Sequence, residues 1–141
     1  MKYGYIDGDD IGLRIEKCFM VNDENQLHAI NEEITSLIFK ISNFLKNEGC
    51  SIIFSGADGI IFKNENPNAL KIYRYIKSIH TSVTFSIGVG NSLREAFLAL
   101  RYIKANGKDG VAILEDDFEL LNNEQSEQNA KHGLAGARRL A

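Results

Sequence analysis

Cys50-Ser51-Ile52-Ile53-Phe54-Ser55-Gly56-Ala57-Asp58-Gly59-Ile60-Ile61-Phe62 reads as two short strands folded back on each other. Cys50 to Phe54 and Ile60 to Phe62 are rich in β-branched and aromatic residues. The five residues between them contain Gly and Asp-Gly, the composition of a hairpin turn. The flanks of this hairpin decide the fold. Upstream, residues 27–48 carry apolar side chains at helical spacing (Leu27, Ile30, Ile34, Leu37, Ile41, Leu45), and Gly49 closes the stripe. Before that helix lie a strand at residues 2–8, a short helix at 11–20 and a polar turn at 21–26. Downstream, Pro67 sits near the first turn of a helix whose inner face is Leu70, Tyr73, Ile76 and Ile79. Residues 82–90 are a further strand. Ser92 with Glu95 three residues on forms a capping box before a helix bearing Leu93, Ala96, Phe97, Leu100 and Ile103. Gly107 stops it, and Val111 to Leu114 is a last strand.

The first six elements make a βαββαβ unit, the ferredoxin-like pattern, followed by an added C-terminal helix and strand. The expected class is α/β in the α+β sense. It has an antiparallel central sheet, first and third strands adjacent at its centre, and helices on one face. Residues 1–118 are assigned to this domain. Residues 119–141 lose periodicity and are expected to be a polar and basic tail, disordered or a remnant of expression.

At 141 residues a single domain with one real core is expected. A net charge of −3 gives no footprint for a DNA or RNA duplex. A nucleotide-sized ligand remains compatible, because a few local donors and a metal can hold it. Cys18 and Cys50 lack metal-ligand spacing and read as reduced thiols, which points to the cytoplasm. Met1 leads straight into a strand pattern, so no signal peptide is expected, and no apolar run approaches the roughly 20 residues of a membrane span.

Two acidic runs carry the chemistry: Tyr5-Ile6-Asp7-Gly8-Asp9-Asp10-Ile11-Gly12, and the hairpin turn containing Asp58. If the first and third strands are neighbours, Asp7 and Asp58 face each other. Paired carboxylates bind Mg²⁺, a hard cation that also takes phosphate and water. Two such ions can activate an attacking hydroxyl and stabilise a leaving pyrophosphate, and the Gly8 carbonyl is placed to add a ligand. Either Asp-Gly alone reads as an ordinary turn; both together, on adjacent strands, read as a metal site. Residues 9–12 lead from a strand into a helix, where free amides favour phosphate, although Asp9 and Asp10 oppose it and Asp10 also suits a helix cap. Lys104 either complements its helix C-terminus or reaches a triphosphate as a point charge. Arg14 and Arg101 read as solvated, His28 and His80 as surface or helix-end residues, and Ser55 and Ser86 lack a nucleophile's partners.

These segments resemble the catalytic palm of GGDEF nucleotide cyclases and of the polymerase-like subunit of type III CRISPR complexes, above all the minimal CRISPR polymerases. The likeness spans about residues 2–115. It implies metal binding by Asp7, Asp58 and the Gly8 carbonyl, and nucleotide binding by Asp9, Asp10, Ile11, Gly12, Gly56, Ala57 and Lys104. Gly56 falls near the ribose. Phe85-Ser86-Ile87-Gly88-Val89-Gly90 is similar to the strand that follows the hairpin, and Ala99 to Asp109 to the family's terminal helix. The departures are Ala57 at the second hairpin glycine and Gly59 at the fourth, acidic position. The resemblance implies two Mg²⁺ (Mn²⁺ in their place), ATP, a homodimer, and a cyclic di- or oligonucleotide product that acts on a separate effector in antiviral defence. A mononucleotide cyclase and a nucleotide sensor without turnover are the alternatives.

Overall fold

A computed structural model describes residues 1–79, 82–122 and 138–140. Along the chain lie β1 (Lys2–Gly8), α1 (Ile11–Met20), α2 (Glu24–Asn47), β2 (Ser51–Gly56), β3 (Gly59–Asn64), α3 (Ala69–Ser78), β4 (Phe85–Gly90), α4 (Leu93–Ala105), β5 (Gly110–Leu114), β6 (Phe118–Asn122) and β7 (Arg138–Leu140). The sheet order is β2-β3-β1-β4-β5-β6-β7. Its first four strands have the ferredoxin-like arrangement. All pairings are antiparallel except β4 with β5, which the α4 crossover makes parallel.

Local chemistry sets most boundaries. Asp23 caps α2 by accepting from Gln26 N–H at 2.9 Å, so that helix starts three residues before its apolar stripe. Asn68 caps α3 in the same way, leaving Pro67 just outside it. Ser92 Oγ accepts from Glu95 N–H at 3.1 Å, while the Glu95 carboxylate accepts from Asn91 N–H at 2.8 Å. The hairpin turn is tighter than expected. Only Ala57 and Asp58 lie between β2 and β3, and Ala57 is held at φ 50°. Two-residue hairpin turns need such left-handed residues.

The expectation of helices on one face is corrected. α2 and α3 cover one side, where Ile6, Ile60, Phe62, Phe85 and Ile87 of the sheet meet Ile34, Ile41, Ile72 and Tyr73. α4 covers the other, packing Ala99, Leu100 and Ile103 on Ala112 and Leu120, with Tyr5 beside them. β4 is therefore buried along its whole length. Its odd residues face α2 and α3, and Gly88 and Gly90 face α4. A Cβ on Gly88 would lie 2.3 Å from Leu100 N and 2.4 Å from Ala96 O, so only glycine lets the α4 backbone this close.

Residues 119–122, expected in the tail, belong to the sheet. β6 pairs with β5, Leu121 is buried in the larger core, and Leu120 in the smaller one. Two adjacent residues buried on opposite sides, Leu120 and Leu121, were too short a pattern to separate from the polar sequence around them. Residues 123–137 and 141 of the expected tail lie outside the described residues, as does His80. Among the described residues, no helix is long and apolar enough to cross a membrane.

Candidate active site

Strand register brings the acidic runs together. Asp7 pairs with Gly59 on β3 and with Ser86 on β4. Asp58 is thus one residue from Asp7's partner, and its carbonyl accepts Gly8 N–H at 3.0 Å. The environment of Asp7 is electrostatically costly. Burial raises its carboxyl above the usual range, Lys104 opposes that, and the neighbouring Asp58 and Asp9 charges add to the rise. Tyr5 registers the same field, since burial and then the charges of Asp7 and Asp58 push its phenol up. A Cβ on Gly59 would sit 3.3 Å from Asp7 Oδ1, a tight contact that the carboxylate relieves by moving a few tenths of an ångström.

Asp9 has a role its sequence context did not suggest. It was expected beside nucleotide, with its amide free. Instead its N–H donates to Thr84 O at 2.9 Å, and its carboxylate is buried. Oδ1 accepts from Ser86 Oγ at 2.7 Å and Lys104 Nζ at 2.8 Å; Oδ2 accepts from Thr84 Oγ1 at 2.7 Å and Asp109 N–H at 3.0 Å. Burial pushes this carboxyl up, but the bonds from Lys104, Ser86 and Thr84 outweigh it and hold it below the usual range. Ser86 is spent in the same network: its Oγ also accepts Asp109 N–H at 3.1 Å. Tyr73 Oη donates to Asp109 O at 3.0 Å, and Lys77 pairs with Asp109 at 2.9 Å. Together these ties hold the strained turn in which Lys108 and Asp109 adopt φ 59° and 45°.

Asp10 is the N-cap residue of α1, but its side chain makes no cap bond. Its carboxylate turns to Lys108, whose ammonium this hydrogen bond holds in the charged form. The first-turn amides of α1, which have no partner inside the helix, therefore have no side-chain acceptor from the cap. Ile11 and Gly12 at that helix start line a cavity of about 650 Å³ with Ala57 and Asp58 from the hairpin. Its walls are Ile15, Leu27, Ile30 and Ile34, and its neutral polar side chains are Asn31 and Thr35, one turn apart on α2. Neither was singled out in the sequence, where polar residues on a helix read as its solvent side. The size and apolar lining with few polar groups suit a small organic ligand. Gly56 lies at the end of β2, against the exposed Phe54 ring.

Lys104 reaches the same end of the sheet from α4. Its Nζ donates to Gly8 O at 2.9 Å and Asp9 Oδ1 at 2.8 Å, and pairs with Asp7 Oδ2 at 3.2 Å. The other candidates stay apart from this cluster. Arg14 lies 3.9 Å from Glu33, Arg101 over the Phe97 ring, and the exposed His28 beside Glu32.

The donors Asp7, Asp58 and the Gly8 carbonyl are hard oxygens of the kind Mg²⁺ takes. Among the described residues no group of three or more His, Cys, Asp or Glu side chains is arranged for a metal ion. Two carboxylates and a carbonyl fit an ion whose remaining ligands are water and phosphate.

A ferredoxin-like sheet with two acids at the ends of β1 and the hairpin defines a palm of the nucleotide cyclase type. The GGDEF domain of YfiN (TpbB) from Pseudomonas aeruginosa has a TM-score of 0.60 to this chain at 18% identity, over 81% of each chain. The guanylyl cyclase domain of the RhoGC fusion protein from the fungus Blastocladiella emersonii scores 0.52 at 11% identity, over 79% of this chain and 78% of that one. A diguanylate cyclase/phosphodiesterase from Caldicellulosiruptor saccharolyticus scores 0.50 at 18%, over 79% and 75%. At these identities the likeness is one of fold. Residues 3–114 match the minimal CRISPR polymerase domain, and the chain belongs to that family. Its function is accordingly of the nucleotide cyclase and polymerase type. No curated protein matches the sequence significantly.

Proposed function

We propose that this protein is a metal-dependent nucleotidyltransferase that condenses ATP into a cyclic di- or oligonucleotide. The observation that carries the reading is the register that sets Asp7 and Gly8 of β1 beside Asp58, which itself lines the cavity together with the uncapped start of α1. Asp7, Gly8 and Asp58 hold Mg²⁺, which when bound supplies Lewis-acid activation and offsets phosphate charge. The α1 amides and Lys104 bind the triphosphate. The base occupies the apolar cavity, where an amide such as Asn31 can accept from and donate to one edge of adenine. A ribose hydroxyl of a second nucleotide attacks the α-phosphorus in line. A new P–O bond forms, the α–β anhydride bond breaks, and pyrophosphate leaves as the hydroxyl proton is lost.

One palm offers one nucleotide half-site, so two chains meet face to face in a homodimer. The proposal extends, by resemblance to the minimal CRISPR polymerase family, to a role in antiviral defence and a separate effector for the product, and the free thiols of Cys18 and Cys50 suit a cytoplasmic setting. A second reading, nucleotide binding without turnover, is favoured by Gly59 at a position where relatives place an acid. Product masses after incubation with each triphosphate and Mg²⁺ or Mn²⁺ decide among them. The proposal expects a cyclic ATP-derived dimer or oligomer and pyrophosphate, with Asp58→Asn folded but inactive. A cyclic mononucleotide would indicate a mononucleotide cyclase. Tight binding with no product would indicate a sensor, and full activity in Asp58→Asn would remove Asp58 from the mechanism.

A further inference from the structure

We infer that Lys104 is an internal competitor for the metal, so that its ammonium must be displaced before Asp7 and the Gly8 carbonyl can hold an ion. The inference rests on the metal reading given above. The ammonium has three hydrogens and is ringed by oxygens: Asp9 Oδ1 at 2.8 Å, Gly8 O at 2.9 Å, Asp7 Oδ2 at 3.2 Å and Asp7 O at 3.5 Å. Two of these, Gly8 O and Asp7 Oδ2, belong to the groups assigned to the metal. Lone pairs given to the ammonium are not free for an ion, and two cations sharing those oxygens repel each other.

The backbone under Lys104 does not yield easily. α4 is pressed onto β4 at Gly88, so the side chain's reach is fixed by close packing. Only the flexible lysine stem can move, and it has a second anchor. Asp9 is buried, takes no part in the metal set, and keeps the ammonium nearby after Gly8 and Asp7 are released. A released ammonium beside the α1 amides then meets the triphosphate. Metal and nucleotide should therefore bind better together than apart, with Lys104 carrying the coupling, and coupling of this kind is reciprocal between the two ligands. Lys108 provides the control. It is a cation close by in sequence, but it pairs with Asp10 and touches neither Gly8 O nor Asp7.

The test measures Mn²⁺ binding to nucleotide-free protein by the loss of the free-ion paramagnetic signal. Wild type, Lys104→Met, Lys104→Gln and Lys108→Met are compared, each first checked for a cooperative urea transition. Lys104→Gln covers the case in which the methionine variant fails to fold. Both Lys104 variants should bind Mn²⁺ about tenfold more tightly than wild type, within the usual range of coupling between sites. Lys108→Met should change by less than about twofold, since it removes only a charge outside the contact set. In a saturating nonhydrolysable ATP analogue the gap between wild type and the Lys104 variants should close, because the triphosphate then holds the displaced ammonium. Equal affinities in wild type and the Lys104 variants, all lost on adding Asp58→Asn, would overturn the competitor role while leaving the metal site standing. An equal tightening in Lys108→Met would overturn it in favour of general charge. No Mn²⁺ binding in any protein, with or without the analogue, would overturn both the competitor role and the metal reading.

Discussion

Replacing Asp9 by asparagine keeps the shape of the side chain and should still unfold much of the site. Four donors point at the Asp9 carboxylate: Ser86 Oγ and Lys104 Nζ at Oδ1, and Thr84 Oγ1 and Asp109 N–H at Oδ2. An asparagine offers one oxygen and one NH₂ group. A serine or threonine hydroxyl can rotate and accept from that NH₂. Lys104 and the Asp109 amide cannot accept at all, and they bind opposite oxygens. Whichever way the amide is turned, one of them faces a donor and is left with its other acceptor alone, Ser86 Oγ for the Asp109 amide, or Gly8 O and Asp7 for Lys104. Leaving a buried group unsatisfied costs about 1–3 kcal/mol, and removing one partner of a buried charge pair about 3–5 kcal/mol. We expect Asp9→Asn to lose roughly 3–5 kcal/mol of a domain stability typically about 5–15 kcal/mol.

Urea unfolding reads this directly, as a midpoint about 2 M or more lower for a slope near 1.5 kcal/mol/M. The pH dependence supplies a second check. The native Asp9 carboxyl is held below its unfolded value, so its contribution is fully present above the unfolded pKa of about 3.9. It is lost as pH falls through the native pKa, where the wild type binds a proton and comes to resemble the variant. The difference between the two proteins should be flat from about pH 8 to pH 5 and shrink only below about pH 4. A loss under about 1 kcal/mol, the size expected for one ordinary hydrogen bond, or a difference that drifts between pH 5 and 8, would refute the network argument.

Gly88→Ala should destabilise the fold by at least about 1–3 kcal/mol, because its Cβ meets helix backbone and not a flexible side-chain end. It should also weaken Lys104's hold on the site, giving a lower urea midpoint and, if the protein turns over, a larger fall in kcat than in stability. Asn31→Ala should reduce discrimination between ATP and GTP by about 1–3 kcal/mol while leaving the urea midpoint nearly unchanged. Competition kinetics with both triphosphates would show it, and unchanged selectivity would remove Asn31 from base reading.

Much of this architecture is legible in the chain. The apolar stripe of α2, the hairpin with its Asp-Gly turn, and Ser92 with Glu95 at the start of α4 locate elements by short-range chemistry. The βαββαβ order then places β1 beside β3, and with it Asp7 near Asp58. The placing of α4 was less legible, because a strand reading Ser86-Ile87-Gly88-Val89-Gly90 gives no sign that its glycines are there to admit a helix. Nor could spacing alone separate three neighbouring acids. Asp7 is half-buried and paired with Lys104, Asp9 is buried under four donors, and Asp10 turns to Lys108; tertiary partners from residues 84, 86, 104, 108 and 109 make that difference. Asn31 and Thr35 were hidden for the opposite reason, since a polar residue lining an open cavity has the same periodicity as one facing solvent.

A crystal grown with Mn²⁺ and a nonhydrolysable ATP analogue tests the central claim most directly. Anomalous scattering should place manganese against the carboxylates of Asp7 and Asp58 and the carbonyl of Gly8, with adenine in the cavity between α1 and α2. Nucleotide bound at another surface, or manganese held without either aspartate, would contradict it.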